Sequence, residues 1–263
     1  MVASSLLPLV CMRITLVQTA LVWENPDANR QHLVEKLRPL SGQTDLVLLP
    51  EMFTTGFSMN AAALAETMDG PTVYWMQEQA DRLNAAVCGS FICTDQHAFY
   101  NRLLFVKPDG THVHYDKKHL FKLAGEHQHY TPGAESAYIE WLGWRIKPQV
   151  CYDLRFPEWA RNNHQSPYDL LLYVANWPEK RAHHWRSLLT ARAIENQAYV
   201  AGLNIVGADG NGHVYVGDST VVDFSGQILL HLHDQEMVAT TSIEKAGMTE
   251  YRLKLPFLAD SDL

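Results

Sequence analysis

Asp45-Leu46-Val47-Leu48-Leu49-Pro50-Glu51 decides the reading of the fold, and the chain offers a second version of it in Asp169-Leu170-Leu171-Leu172-Tyr173-Val174. Each run is unbroken and apolar between polar flanks, the pattern of a strand buried on both faces. Arg13-Ile14-Thr15-Leu16-Val17-Gln18 precedes the first as another strand, and Asn25-Pro26 caps a helix carrying Leu33, Val34, Leu37 and Leu40. Gly70-Pro71-Thr72 opens a further helix with Val73, Trp75, Met76 and Ala80 on its apolar side. Strands at Ala85–Ile92 and Phe99–Val106 follow, and the turn Pro108-Asp109-Gly110 leads into Thr111–Tyr115. The second half repeats the scheme. A strand from Arg145 runs to Cys151, a short helical stretch starts near Pro157, and a helix spans about Ala182–Ala198 after the apolar run. Strands near Tyr199–Leu203, His213–Val216, Ser219–Val222, Ile228–Leu232 and Val238–Ile243 complete it. The alternation predicts an α/β fold, one two-sheet domain with internal pseudo-symmetry, the alternative being chance similarity between two buried strands. No Gly/Ser/Pro-rich linker divides the chain.

The chain has 263 residues with 21 Lys+Arg against 29 Asp+Glu, a net charge of −8. With 47% hydrophobic and 19% charged residues it falls in the globular class rather than the disordered or coiled-coil ones. The acidic excess and the lack of a Lys/Arg cluster argue against nucleic acid or an anionic membrane as partner. No stretch approaches the roughly 18 apolar residues of a membrane helix. Four cysteines, Cys11, Cys88, Cys93 and Cys151, are scattered without disulfide-framework or metal-site spacing, so a reducing, cytoplasmic setting is expected. Residues 1–11 contain Pro8, lack a basic start and place bulky residues before Cys11, unlike a cleaved signal. They are expected to form a disordered extension upstream of Met12, a second possible start.

Reactive side chains stand at three strand ends. Glu51 follows Leu49-Pro50, where α/β sheets present their ligand crevice. Cys151 stands likewise in Gln149-Val150-Cys151-Tyr152-Asp153-Leu154-Arg155-Phe156-Pro157, and Tyr115-Asp116-Lys117-Lys118-His119-Leu120-Phe121 ends the meander between them. A neighbouring positive charge lowers a thiol's pKa, and a carboxylate within hydrogen-bond reach can take its proton. Singly, each residue also has a bland role: the cysteine as buried packing, Glu51 as a turn cap, Lys117 on a solvated face. Together they are one way to build an amide-attacking site.

In that combination the sequence resembles the nitrilase superfamily of carbon–nitrogen hydrolases. The resemblance rests on Leu49-Pro50-Glu51, on Lys117-Lys118-His119-Leu120-Phe121 and on Cys151-Tyr152-Asp153-Leu154-Arg155-Phe156-Pro157. Gly125-Glu126-His127, Tyr130-Thr131-Pro132-Gly133, Ala175-Asn176-Trp177-Pro178 and Arg192-Ala193-Ile194-Glu195-Asn196 extend it in the family's order. It implies a four-layer α-β-β-α sandwich spanning residues 12–243 as a single domain, with 244–263 as a C-terminal tail at a possible homodimer interface. It further implies Cys151 as nucleophile, Glu51 as general base and Lys117, not Lys118, as oxyanion partner beside a backbone N–H near Tyr152, with no metal and no cofactor. Glu126 would orient Lys117. The blocks around Glu51, Trp177 and Asn196 are closest to the omega-amidase branch, which implies a small-molecule amide substrate of the 2-oxoglutaramate or 2-oxosuccinamate type, the alternative being another amide or N-carbamoyl hydrolase of the superfamily. Such a substrate carries a carboxylate, and Arg155 suits it, the alternative being a structural pair with Asp153 or Glu158. Trp177 would stand beside the pocket.

Two rival readings have their own residues. Thirteen histidines, with the spaced pairs His112/His114, His127/His129 and His231/His233, admit a metal-binding protein, yet none joins a C-x-x-C or H-E-x-x-H pattern. A scaffold protein without catalysis would have lost Glu51, Lys117 or Cys151, and all three are present. Cys88 and Cys93 face opposite sides of a strand, so they are expected to be packing residues rather than a redox pair.

Overall fold

The computed structural model describes residues 10–260 and divides their strands between two six-stranded sheets and a hairpin. In the first sheet the order is β14 (Met237–Glu244), β1 (Cys11–Gln18), β2 (Leu46–Leu48), β3 (Ala86–Asp95), β4 (Ala98–Val106) and β5 (His112–Asp116). The second runs β13 (Ile228–His231), β12 (Thr220–Val222), β9 (Tyr199–Leu203), β8 (Leu170–Val174), β7 (Trp144–Val150) and β6 (Ile139–Trp141). The hairpin is β10 (Val206–Ala208) with β11 (Val214–Val216). β2 lies parallel to both β1 and β3, and β8 to both β7 and β9, which accounts for the two unbroken apolar runs.

Alternation along each strand then assigns the faces. Leu46 and Leu48 join Ile14, Leu16, Cys88 and Phe105 in a core shared with Ile146, Leu170 and Leu172 of the second sheet. Val47 and Leu49 point the other way and pack with Val87 and Cys93 under α1 (Pro26–Leu37) and α3 (Pro71–Leu83), through Leu33, Leu37, Trp75, Met76 and Leu83. Cys88 and Cys93 thus face opposite sides, as their spacing requires. The short α2 (Ala61–Leu64) and α4 (Pro157–Ala160) sit in loops, and α5 (Ala182–Asn196) covers the second sheet with Trp185 and Leu189. A Cβ on Gly202 would come within 2.6 Å of Leu189 Cδ1, so the close approach of α5 requires glycine there. The result is the four-layer α-β-β-α sandwich. Asn25 caps α1 by accepting from the Ala28 N–H at 3.1 Å, as Asn25-Pro26 predicts.

Two boundaries and two short strands differ from the sequence reading. β1 begins at Cys11, inside the expected extension, because pairing of Cys11 with Glu244 carries the strand beyond its own alternation pattern. Residues 1–9 lie outside the described residues. The expected tail from 244 is ordered: α6 (Lys245–Lys254) seats Met248 in the core, and Arg252 donates to the Tyr168 and Gln197 carbonyls. The edge strands β6 and β10 were not expected, since three residues leave no readable periodicity.

Candidate active site

Strand ends deliver the reactive groups, and strained turns hold two of them. Met52, directly after Glu51, has φ +44°, and so does Cys151 at the head of a 3-10 turn spanning Cys151–Arg155. Left-handed backbone at a non-glycine residue is a strain that functional sites concentrate. Under Cys151 the buried Asp153 carboxylate accepts from the Val150 N–H at 3.1 Å and the Tyr115 hydroxyl at 2.8 Å. It also accepts from the His119 N–H at 2.9 Å and has His119 Nδ1 at 2.8 Å, which ties the thiol turn to the lysine segment. Lys117 leaves β5 with its N–H donated to the Asn101 carbonyl, while its own carbonyl accepts from the Gly133 N–H.

Lys117 Nζ is fully buried and lies 3.0 Å from Glu51 Oε1 and 3.0 Å from both oxygens of Glu126. Burial by itself would lower its pKa, but Glu126 and Glu51 outweigh that and raise it above the ordinary lysine value. Glu51 Oε2 accepts from the Asn176 N–H at 2.8 Å, and its backbone carbonyl accepts from Asn176 Nδ2 at 2.6 Å. Burial, helped by Glu51 and opposed by Lys117, pushes the Glu126 carboxyl up. The Cys151 thiol is pushed well above its usual range by burial and then by Glu51, against Lys117. The Lys117 ammonium is engaged by both Glu51 and Glu126, which leaves it little charge to offer a thiolate. Cys151 Sγ lies 3.9 Å from the Asn176 carbonyl oxygen.

Cys151 opens on a cavity of about 230 Å³, lined also by Phe57, Lys117, Phe121, Tyr152, Arg155, Asn176, Trp177, Arg181 and Tyr215. Of the residues named from sequence, Glu51 and Glu126 lie behind the cavity wall, fully buried. Tyr152, Arg155 and Trp177 reach the cavity itself. Tyr152 packs against Phe121 and Phe156, and its N–H begins the 3-10 turn, where the first donors have no partner within the turn. Arg155 lies over the Trp177 ring at 4.7 Å, with His184 Nδ1 3.2 Å from Nη2. The alternative pairing with Asp153 or Glu158 does not occur, because Asp153 is occupied by Tyr115, His119 and Val150. Burial and then Arg181 lower the Arg155 pKa, the sign of two guanidinium groups close together. Among the described residues no carboxylate is within ion-pair reach of either. Lys118 turns away, its ammonium 5.1 Å from the Trp159 ring centroid.

Sequence reasoning missed Arg181, Tyr215, Phe57, Asn101 and Ser90. None stands in a motif block, and each arrives from a loop or strand whose place only folding sets. His127 and His129 lie on and after a 3-10 turn rather than a strand. Among the described residues no group of three or more His, Cys, Asp and Glu is placed to hold a metal ion.

A buried thiol, an ammonium and a carboxylate from strand ends, with a second carboxylate from the 3-10 turn Glu126–Gln128, gather in a four-layer sandwich and define a class of hydrolase, and the sequence agrees. The carbon-nitrogen hydrolase family model matches residues 13–253, and the chain belongs to that family. It is 49% identical over 256 residues to the omega-amidase YafV of Yersinia enterocolitica, covering 95% of this chain and 97% of that one. It is 31% identical over 250 residues to the 2-oxoglutaramate amidase of Bacillus subtilis (strain 168), covering 94% and 96%. A CN-hydrolase superfamily protein of Xanthomonas campestris, solved with an arsenic adduct in its active site, superposes with a TM-score of 0.94 at 50% identity, covering 96% and 98%.

Proposed function

We propose that this carbon–nitrogen hydrolase is an omega-amidase that converts short 2-oxo acid amides, 2-oxoglutaramate and 2-oxosuccinamate, to the dicarboxylate and ammonia. One observation carries the reading: a single cavity is lined both by a thiol, Cys151, and by two guanidinium groups without a carboxylate partner, Arg155 and Arg181. The two arginines are suited to the carboxylate of the substrate, which lies several bonds from the scissile amide. The names of the relatives point to the same substrate class.

The chemistry follows from the geometry. Cys151 Sγ bonds to the amide carbon as its proton passes to Glu51. The carbonyl oxygen becomes an oxyanion held by Lys117 Nζ and the Tyr152 N–H. Collapse breaks the C–N bond, and Glu51 returns the proton to the leaving nitrogen, which departs as ammonia. A water molecule, deprotonated by Glu51, then attacks the thioester. The C–S bond breaks, the thiol regains its proton, and the carboxylic acid leaves. Glu126 holds Lys117 throughout. The steps balance without a cofactor or metal. We extend the reading to a cytoplasmic homodimer, supported by the free Cys88 and Cys93 and by exposed Ile194, Leu253 and Phe257 on α5, on α6 and just beyond. Light scattering checks the dimer. No described helix is long and apolar enough to cross a membrane.

Ammonia release from a panel of 2-oxo acid amides, glutamine, asparagine, N-carbamoyl amino acids and nitriles tests the proposal. The 2-oxo amides are expected to show the highest kcat/KM, and a preference for N-carbamoyl compounds or nitriles would overturn it.

A further inference from the structure

Asn101 stands on β4, outside every motif block, and its side chain is buried. Nδ2 donates to Glu51 Oε1 at 2.8 Å and reaches Glu126 Oε1 at 3.5 Å. Oδ1 accepts from Ser90 Oγ at 2.8 Å, and Ser90 Oγ accepts from the Met52 N–H at 2.9 Å. The register explains the meeting: Ser90 pairs with Leu103, two residues from Asn101 on the same face of neighbouring strands. The backbone N–H of Met52 fills an acceptor site of the hydroxyl, which leaves the Ser90 hydrogen for Asn101. An amide whose oxygen is so engaged presents its NH₂ to the carboxylates.

The charges around Glu51 make that orientation matter. Lys117, Glu126 and Cys151 face it, with the hydroxyls of Tyr130 and Tyr215 further out. Two carboxyl groups share one ammonium in a buried site, and burial together with Glu51 pushes the Glu126 carboxyl up against the pull of Lys117. The geometry points to Asn101 as a positioning residue that directs its NH₂ to the Glu51 carboxyl in preference to that of Glu126, with Ser90 holding the Asn101 amide in that orientation. The short bond falls on Glu51 and the long one on Glu126, so the stabilisation of negative charge is unequal. This rests on the reading of Glu51 as the base, and it requires no particular substrate.

Two pH profiles from about pH 5 to 9 test it: kcat/KM for 2-oxosuccinamate, and the rate of Cys151 alkylation by iodoacetamide, which needs no amide turnover. In Asn101→Ala the acid limb of both should move up by about one pH unit, a loss of about tenfold at the acid end that shrinks toward pH 9. KM should stay within about twofold of the parent, as expected for a residue that does not bind substrate. Ser90→Ala, which deletes one oxygen, should move the limb in the same direction by less. Circular dichroism establishes folding of each variant, and Ser90→Ala decides alone if Asn101→Ala does not fold. A shifted alkylation limb without amide turnover would uphold the role of Asn101 while overturning the substrate assignment. An unmoved limb, or an equal loss at every pH, would make Asn101 and Ser90 packing residues and overturn the inference.

Discussion

The two halves of the sandwich share one plan and put it to different ends. Read inward from β14 or from β6, each sheet pairs its strands antiparallel, parallel, parallel, antiparallel, antiparallel. Asp45 Oδ2 accepts from the Arg13 N–H at 2.7 Å, and Asp169 Oδ2 from the Arg145 N–H at 3.0 Å. α3 ends on left-handed Asn84 and α5 on left-handed Gln197. The residue after β1 is nevertheless Thr19, and the residue after the equivalent β7 is Cys151. Thr19 Oγ1 donates to Glu236 Oε1 at 2.8 Å and lies 3.0 Å from His32 Nε2, so it closes a structural network. Cys151 instead meets Glu51 from the other half and opens on the cavity. Duplicated backbone supplies a place at a strand end; reactivity needs an unlike partner there and room for a ligand.

The largest expected effect separates these two positions. Cys151→Ala should lower turnover by roughly four to six orders of magnitude with its thermal unfolding unchanged. Thr19→Val should keep most of the turnover and lose stability, about 1–2 kcal/mol for a buried hydroxyl network cut at one end. Ammonia release and calorimetry on both variants check the contrast, and an active Cys151→Ala enzyme would remove the thiol from the mechanism.

Next comes the contribution of the first half. Glu51→Gln and Lys117→Met should each be nearly as damaging as the double substitution, because groups acting in one constellation do not contribute additively. Lys118→Ala, directed at Trp159, should retain most of its activity. Independent, modest losses in a double-mutant cycle would reassign Glu51 and Lys117 to packing.

Smaller and substrate-dependent effects belong to the second half's arginines. Arg155→Ala and Arg181→Ala should each reduce kcat/KM for 2-oxosuccinamate by roughly 2–4 kcal/mol, the scale of a lost charge-assisted contact, and barely touch an uncharged short amide. Equal losses on both substrates would make the arginines part of the scaffold.

The smallest effect lies at the Thr19 position and follows pH. Burial would raise the Glu236 pKa, but Lys36, the Ala20 N–H and Thr19 outweigh it and hold the carboxyl down at about 2, against an ordinary value of 4.5. A depressed folded-state pKa gives stability that is full above 4.5 and lost as pH falls toward 2. Glu236→Gln should therefore lower Tm modestly at pH 7, and the difference from the parent should close below about pH 2. A gap that persists there would indicate lost packing instead of lost charge.

The chain's own pattern determined the parts that are local or repeated. Unbroken apolar runs at 46–49 and 170–174 announce strands buried on both faces, and Asn25-Pro26 and Gly70-Pro71 announce helix starts, because burial and capping act on neighbouring residues. The ends of readable strands likewise mark Glu51, Lys117 and Cys151, whereas Glu126 is marked only by the family resemblance. Tertiary structure alone decided the rest. Arg181 joins Arg155, and Asn101 joins Glu51, only after two sheets stack and β3 pairs with β4. The same holds for the protonation of Cys151. Its flanking residues do not reveal whether Lys117 will activate the thiol, because the two carboxylates that consume that charge arrive from 66 residues before Lys117 and 9 after it. Electrostatic energy in a buried site depends on distances in space and on excluded water, and neither quantity is written in sequence separation.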